Sequence, residues 1–131
     1  MRDVDVEIFN ENLAARAEYL ARVPCYGFDE IRDVMLADAG ELDRWEESQR
    51  VFSIPSGADR VFPKFQFDDE QPIPVIQKVL RFLPEDMSNW QIAFWFDGGN
   101  AWLDGHAPQD CLGEQKALLK AAKEQSKDFI G

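Results

Sequence analysis

Residues 88–112 read SNWQIAFWFDGGNAWLDGHAPQDCL and contain three of the four tryptophans of the chain. Ser88 and Gln91 have the spacing of a capping box, in which each side chain accepts a backbone N–H at the start of a helix. The residues that follow, as far as Phe96, are apolar on nearly every side and predict an enclosed helix. Residues 97–100 (DGGN) predict its end, because glycine and asparagine readily adopt left-handed conformations.

The second half of this stretch is a polar, glycine-rich loop around an apolar pair. Trp102 and Leu103 lead into a predicted turn at Asp104-Gly105, and Pro108 is expected to open the next helix. An aromatic helix followed by such a loop indicates a scaffold for a shaped surface, not a catalytic site. Two alternatives stay open for Trp102 and Leu103. They pack back beneath the helix, or they form the centre of a partner interface, where tryptophan is a favoured anchor.

The pattern W-F-x-x-x-N-x-W-L-D-G-H-x-P-x-D-x-L covers residues 95–112. It resembles the toxin-binding domain of Xre/MbcA/ParS-type antitoxins, the partners of RES-domain toxins. The positions that match the family pattern are Trp95, Asn100, Leu103, Gly105, Pro108 and Leu112. A second family-like phrase, FPKFQFD at residues 62–68, precedes the motif at the expected place. The match is good over about the last 50 residues of the chain.

This resemblance implies an antitoxin of a type II toxin–antitoxin system, which binds and neutralises a NAD-degrading RES-domain toxin. In that family the complex often represses its own operon. The residues expected at the partner are Asn100, Trp102, Leu103, Asp104, Gly105, His106 and Pro108. Two other classes remain as alternatives: a DNA-binding transcriptional regulator without a toxin, and an orphan protein-interaction module that uses the same surface for another partner.

Composition limits the function classes. The net charge of −11 opposes nonspecific attraction to nucleic acid and to anionic membranes, which both require local positive potential. It suits docking onto a basic partner surface, and it equally suits simple solubility. No apolar run is long enough to span a bilayer, and the start MRDVDVEIF is too acidic for a signal peptide. Cys25 and Cys111 lie far apart, as expected for reduced thiols in a cytoplasmic protein.

The apolar spacing predicts a mainly α fold in two parts. Residues 1–67 are expected to form a helix-turn-helix-like region with a small β-hairpin, and residues 68–131 a compact helical, toxin-binding-like domain. A first helix over 5–23 has an apolar line at steps of three and four, which predicts core packing or, alternatively, a homodimer contact. The members of this line are Phe9, Leu13, Ala17 and Leu20.

Two short helices follow, and their spacing indicates a helix-turn-helix. They are predicted over Phe28–Met35 and from the Asp38 cap to Gln49, with Leu42 and Trp45 buried. The exposed positions of the second are Glu41, Asp43, Arg44, Glu46 and Glu47. Recognition of phosphates and base edges requires mainly Arg, Lys, Asn or Gln, so DNA binding is disfavoured. If DNA is bound, the candidate contacts are Arg44, Arg50, Arg60 and Lys64.

The remaining elements are a hairpin and further helices. Strands are predicted over 51–54 and 61–67, and Pro63 is expected to confine the second to a sheet edge. Phe62, Phe65 and Phe67 are expected to reach the core. A helix over 74–83 should bury its apolar positions at core spacing, and a last helix should run from about Pro108 to Phe129.

Residues for catalysis or metal binding do not form a recognisable set. His106 is the single histidine of the chain and has no second ligand near it in sequence. Cys111 has no obvious base, and Gly98-Gly99 lacks the frame of a phosphate-binding loop. The sequence therefore predicts a non-enzyme that uses no metal and no cofactor.

Overall fold

The computed structural model of the protein describes the backbone of residues 3–128 and the side chains of residues 12–127. Over this range the chain forms six α-helices and five short strands, which confirms the predicted mainly α fold with a small antiparallel hairpin region. The helices are α1 (Asp3–Arg22), α2 (Phe28–Met35), α3 (Ala39–Glu47), α4 (Pro74–Phe82), α5 (Asn89–Asp97) and α6 (Gln115–Asp128). The strands are β1 (Cys25–Gly27), β2 (Ile54–Ser56), β3 (Asp59–Pro63), β4 (Phe67–Asp68) and β5 (Gln71–Pro72).

Helix α1 is held by its C-terminal end. Tyr19 is buried, as is Val23 just after the helix, whereas Leu13 is 47% exposed and Ala17 is exposed. The predicted core line is therefore wrong at Leu13 and Ala17, whereas Leu20, its last member, is half-buried and packs against the core. The helix turns a neighbouring face, which carries Tyr19, toward the body of the protein. Phe9, the first residue of that line, lies outside the described side chains.

Helices α2 and α3 form the predicted helix-turn-helix-like pair. The Asp38 side chain accepts a hydrogen bond from the Glu41 backbone N–H at 2.8 Å, so Asp38 caps α3 as expected. Leu42 and Trp45 are buried, also as expected. Leu36 occupies the turn with a left-handed backbone (φ 53°), a conformation that glycine would adopt with less strain.

The predicted hairpin is part of a three-stranded antiparallel sheet in the order β1-β3-β2. Tyr26 of β1 pairs with Phe62 of β3, and Pro55 of β2 pairs with Arg60. The expectation that Pro63 confines its strand to an edge is wrong, because β3 is the central strand. Pro63 is tolerated as the last residue of that strand, and the next N–H, that of Lys64, donates to the Pro24 carbonyl at 2.9 Å.

Two clusters of buried apolar side chains form the core. The larger combines α4, α5 and α6 with Tyr19, Val23, Phe52 and Ile54. The smaller lies around α2 and α3 and includes Phe62. The larger cluster thus draws on both sides of residue 67, and the division into 1–67 and 68–131 stays a prediction.

A fully buried polar side chain, Gln66, joins neighbouring segments of the chain. Its amide Nε2 donates to the Phe52 carbonyl at 2.9 Å, and its Oε1 accepts from the Phe52 N–H at 2.8 Å. This pair of bonds fixes residue 52 without a strand partner. It also shows that the FPKFQFD phrase has a structural role. Of its aromatic residues, Phe62 is buried, whereas Phe65 and Phe67 are half-buried.

Helix α5 begins with the predicted capping box. The Gln91 N–H donates to Ser88 Oγ at 3.1 Å, and the Ser88 N–H donates to Gln91 Oε1 at 2.7 Å. The helix is less enclosed than predicted. Trp90, Ala93 and Phe96 are buried, whereas the other apolar side chains between them are half-buried; these are Ile92, Phe94 and Trp95.

The last helix begins seven residues later than predicted, at Gln115. Pro108 opens a single 3-10 turn over Pro108–Asp110 instead, which the Cys111 N–H closes by donating to the Pro108 carbonyl at 3.0 Å. Cys111 then leaves the helical conformation (φ −117°) and buries its side chain. A proline at a first helical position is compatible with either kind of helix. The backbone of Cys111 ends this turn, and α6 begins only at Gln115.

Candidate protein-binding surface

The loop between α5 and α6 is closed on itself by backbone hydrogen bonds around Asn100. The Asn100 carbonyl accepts from the N–H groups of Leu103 at 3.0 Å and Gly105 at 2.9 Å, and the Asn100 N–H donates to the His106 carbonyl at 3.1 Å. The Asn100 side chain accepts from the Trp102 N–H at 2.9 Å. Residues 100–106 thus form a compact turn whose shape does not depend on a partner.

The glycines of this loop have roles different from those predicted. Gly98 and Asn100 have negative φ values (−86° and −126°), so the expected left-handed end of α5 is wrong. The left-handed residues are Asp104 (φ 56°) and Gly105 (φ 85°). Gly99 is required for close approach, because a Cβ built there would lie 2.8 Å from the Gly105 carbonyl oxygen.

The sequence left two alternatives for Trp102 and Leu103, packing beneath the helix or exposure at an interface, and the two residues differ in this respect. Leu103 is 5% exposed and belongs to the larger core cluster, whereas Trp102 is 49% exposed. Both lie in one 3-10 turn, Ala101–Leu103, so the buried leucine holds the neighbouring tryptophan at the surface. The Lys120 ammonium lies 5.1 Å from the Trp102 ring centroid, in cation–π range, and steadies the indole.

A cleft of about 320 Å³ lies between this loop and the start of α6. It is lined by Trp102, Leu103, Asp104, His106, Asp110, Cys111, Glu114 and Ala117. Three of these side chains are exposed carboxylates. Within the part of the chain that the structure describes, none of the three forms an ion pair. The cleft therefore combines an aromatic wall with unneutralised negative charge.

The Cys111 thiol at the floor of this cleft is held in its neutral form. Burial raises its pKa, and the nearby Glu114 carboxylate raises it further. A neutral thiol is a poor nucleophile and a poor metal ligand. Among the described residues no group of three or more His, Cys, Asp and Glu side chains is placed to hold a metal ion.

The opposite side of the loop is fastened to α1. The guanidinium of Arg22 binds the Asp97 carboxylate through both nitrogens, with Nη1 at 2.8 Å from Oδ1. Gln109 Nε2 donates to the same Oδ1 at 3.1 Å. Hydrogen bonding to Arg22 lowers the pKa of Asp97, so the clamp is charged at neutral pH. Three separate segments are thereby fixed at the base of the loop.

The structure sorts the predicted partner-binding residues into two groups. Trp102, Asp104 and His106 are exposed and line the cleft. Asn100, Gly105 and Pro108 shape or anchor the loop instead, and Pro108 is buried. Leu103 anchors the loop by its burial and also lines the cleft. Residues on the far wall of the cleft were missed from sequence; they are Asp110, Glu114 and Ala117. Lys120, which lies over the Trp102 ring, was missed as well. The i, i+3 spacing of Glu114 and Ala117 was a usable signal, since it makes them neighbours on one helix face.

The four candidate DNA contacts are largely engaged by other groups. Arg60 is 2.8 Å from Asp43 and 2.8 Å from Glu46, so its charge is neutralised within the fold. Lys64 lies over the Tyr26 ring at 4.7 Å, and Arg50 lies over the Trp45 ring at 5.8 Å. Arg44 and Arg50 share a shallow cleft with two carboxylates, Glu41 and Glu47. No uninterrupted basic face results on the described surface.

Comparison with known proteins adds no relative. No protein-family model matches the chain, and neither a curated protein nor a solved structure is significantly similar to it. None of the helices over residues 3–128 is long and apolar enough to cross a membrane.

Proposed function

We propose that the chain is an antitoxin that binds and neutralises a RES-domain, NAD-degrading toxin through the cleft beside Trp102. One observation carries the proposal: a half-exposed tryptophan lies on an internally hydrogen-bonded turn beside three exposed carboxylates. Tryptophan in such a position is a typical interface anchor. The resemblance of residues 95–112 to antitoxin toxin-binding domains supplies the identity of the partner.

Charge supports the same partner. An enzyme that binds NAD needs positive groups for the pyrophosphate, and an acidic surface complements such a cleft. Asp104, Asp110 and Glu114 provide this surface beside the indole. Because the turn of residues 100–106 is internally hydrogen-bonded, its binding costs little ordering entropy.

The test is co-expression with the product of the neighbouring reading frame, which we expect to be a RES-domain toxin. The chain should rescue growth and co-purify with that protein. Trp102→Ala should weaken the complex by about 30-fold, equivalent to about 2 kcal/mol at an interface anchor. Its melting temperature should stay close to that of the parent, because half of the indole is already exposed.

Phe82→Ala is the matched control. Phe82 is a 39% exposed aromatic residue of α4, and the Lys123 ammonium lies 4.7 Å from its ring centroid, as Lys120 does over Trp102. This variant should bind the toxin as the parent does. If the two variants bind alike, the Trp102 cleft is not the interface. If no RES-domain protein is bound or neutralised, the antitoxin proposal fails.

A further inference from the structure

The outer face of α4 and α6 is basic, in a chain whose net charge is −11. The two helices pack directly against each other. They contain six basic and two acidic residues, whereas the rest of the chain contains eight of the 14 basic residues and 23 of the 25 acidic ones. Positive charge is therefore concentrated on one side of the molecule, which we call the α4–α6 face. The exposed cations that define it are Lys78, Arg81, Lys116, Lys120, Lys123 and Lys127.

The four lysines of α6 form one row that points away from the core. At about 100° per residue they lie within about 60° of one another around the helix. The buried residues Leu118, Ala121 and Ala122 lie on the opposite side. The row follows the spacing i, i+4, i+7, i+11 and is about 16 Å long. Among the described residues, Lys127 pairs with Glu124 at 3.2 Å, and the other three lysines form no ion pair.

Helix stability does not account for this row. Lys116 is the second residue of α6, where the helix dipole disfavours a cation. Like charges three or four residues apart also repel each other, as Lys116 and Lys120 do, and Lys120 and Lys123. The row therefore opposes the helix that carries it. An anionic partner would relieve this repulsion.

The α4–α6 face also offers an apolar contact among its cations. Phe82, at the end of α4, is 39% exposed, and the Lys123 ammonium lies 4.7 Å from its ring centroid. The ring thus lies at the surface where the two helices meet. An aromatic residue in such a position is suited to the centre of an interface whose ion pairs form the rim.

We propose that the α4–α6 face binds a short acidic segment of a partner protein, with an apolar side chain of that segment against Phe82. Exposed carboxylates limit the face, because Glu114 comes just before α6 and Glu85 and Asp86 come just after α4. Nucleic acids and anionic bilayers carry negative charge over much greater lengths, so they would also meet these carboxylates. A short acidic segment would contact the cations alone.

A helix is the form of segment that fits the row. Two helices laid side by side have the same rise, so glutamates at i, i+4, i+7 and i+11 stay opposite the four lysines. This spacing reads the same in both directions, so the partner helix fits in either. Residues on one side of an extended strand recur about every 6.7 Å, whereas the lysines recur on average about every 5.5 Å, so a strand would drift out of register.

The test is fluorescence anisotropy with a labelled helical peptide that has glutamates at this spacing and one leucine between them. The parent chain should bind it, and binding should weaken as salt is raised from about 50 to about 300 mM, because exposed charges are screened. Lys123→Glu should weaken binding by about 10-fold or more, since it places like charges opposite each other. A parent chain that does not bind the peptide overturns the proposal.

Lys64→Glu is the matched control for Lys123→Glu. Lys64 is exposed and lies 4.7 Å from the Tyr26 ring centroid, as Lys123 does from Phe82, but it is outside the α4–α6 face. This variant changes the net charge equally and should bind the peptide as the parent does. Equal weakening by both variants would show attraction to the whole molecule and overturn the proposed face.

Phe82→Ala separates this surface from the toxin-binding cleft. It should weaken peptide binding by about 10-fold, the loss of an interface anchor, and leave toxin binding unchanged. Peptide binding that tolerates Phe82→Ala overturns the role of the ring, whatever the outcome for the toxin. The proposal does not depend on the antitoxin function.

Two further probes test the class and the form of the partner. A short oligothymidylate and vesicles containing phosphatidylserine should bind more weakly than the peptide, and tighter binding of either overturns the assignment to a protein segment. A peptide of the same composition, with its glutamates spread around the helix, should also bind more weakly. Equal affinity for the two peptides overturns the helical register.

Discussion

At Gly99 the loop that carries Trp102 has no room for a side chain. The close backbone of Gly105 leaves no room for a side chain, since a Cβ would lie 2.8 Å from its carbonyl oxygen. That carbonyl lies in a turn fixed by the hydrogen bonds to Asn100. The sequence identified the glycine-rich break but assigned it the wrong cause. A close approach between residues six apart cannot be recognised from local conformational preference.

Gly99→Ala should therefore destabilise the fold by about 1–3 kcal/mol, the usual cost of overpacking, and displace the Trp102 turn. The melting temperature and the affinity for the proposed toxin should both fall. Gly113→Ala is the control, because its Cβ would meet nothing within 4 Å and its backbone is not left-handed. That variant should match the parent or be slightly more stable. Equal melting of the two variants would contradict the close-contact argument.

At the scale of elements, the sequence predicted those whose signals are local. The bounds of α2 and the caps Asp38 and Ser88 are as predicted, because each depends on side chains within one helical turn. Strand β1 was missed, since three residues carry no alternation and the strand exists only through pairing with β3. The predicted start of α6 was also wrong, because the 3-10 turn at Pro108 ends at Cys111 and has no local sequence signal that distinguishes it from an α-helix.

The candidate site was predicted only in part, and again the part with a local sequence signal was the part recognised. Its near wall, Trp102 to His106, is contiguous in sequence and was recognised there. The far wall, which includes Asp110 and Glu114, depends on how α6 packs against the loop. Local spacing could indicate the helix face that carries Glu114, but it could not indicate that this face packs beside the loop. In the same way, the spacing in α1 predicted an apolar line through Leu13, but it did not show that Tyr19 meets the core.

The clamp between α1 and α5 gives a prediction about pH. Because the pKa of Asp97 is lowered in the folded state, its charged form stabilises the fold at pH values above the ordinary carboxyl pKa, about 3.9. That contribution to stability is lost as the pH falls through the lowered pKa of Asp97 in the folded state. Asp97→Asn should therefore lower the melting temperature by a few degrees at pH 7. The difference from the parent should shrink as the pH is brought below about 4.

Asp33→Asn serves as the charge-matched control for this series. Asp33 is exposed on α2 and forms no ion pair among the described residues. Its variant should melt as the parent does at pH 7. A pH-independent gap between Asp97→Asn and the parent would show that the Arg22 clamp acts by packing rather than by charge.

The whole molecule carries 25 acidic and 14 basic side chains, and its helix-turn-helix-like pair shares this imbalance. The basic side chains nearest to α3 are engaged within the fold, as Arg60 is between Asp43 and Glu46. Shape and charge thus point in opposite directions. Two short helices joined by a tight turn are an arrangement that DNA-binding proteins use, but the surface of this pair would be repelled by phosphate.

We expect the negative charge to prevent DNA binding. The isolated chain should therefore not bind a labelled DNA duplex at physiological salt at concentrations up to about 100 µM, the weak end of nonspecific binding. Fluorescence anisotropy provides the measurement. Glu41 and Glu47 share one cleft with Arg44 and Arg50, and replacing both glutamates by lysine should create binding that weakens steeply with salt. If that double variant still fails to bind, removal of the two carboxylates from this cleft is not sufficient for DNA binding. Tight, sequence-specific binding by the parent chain would instead favour a transcriptional regulator, because it would require a recognition surface that overcomes a net charge of −11.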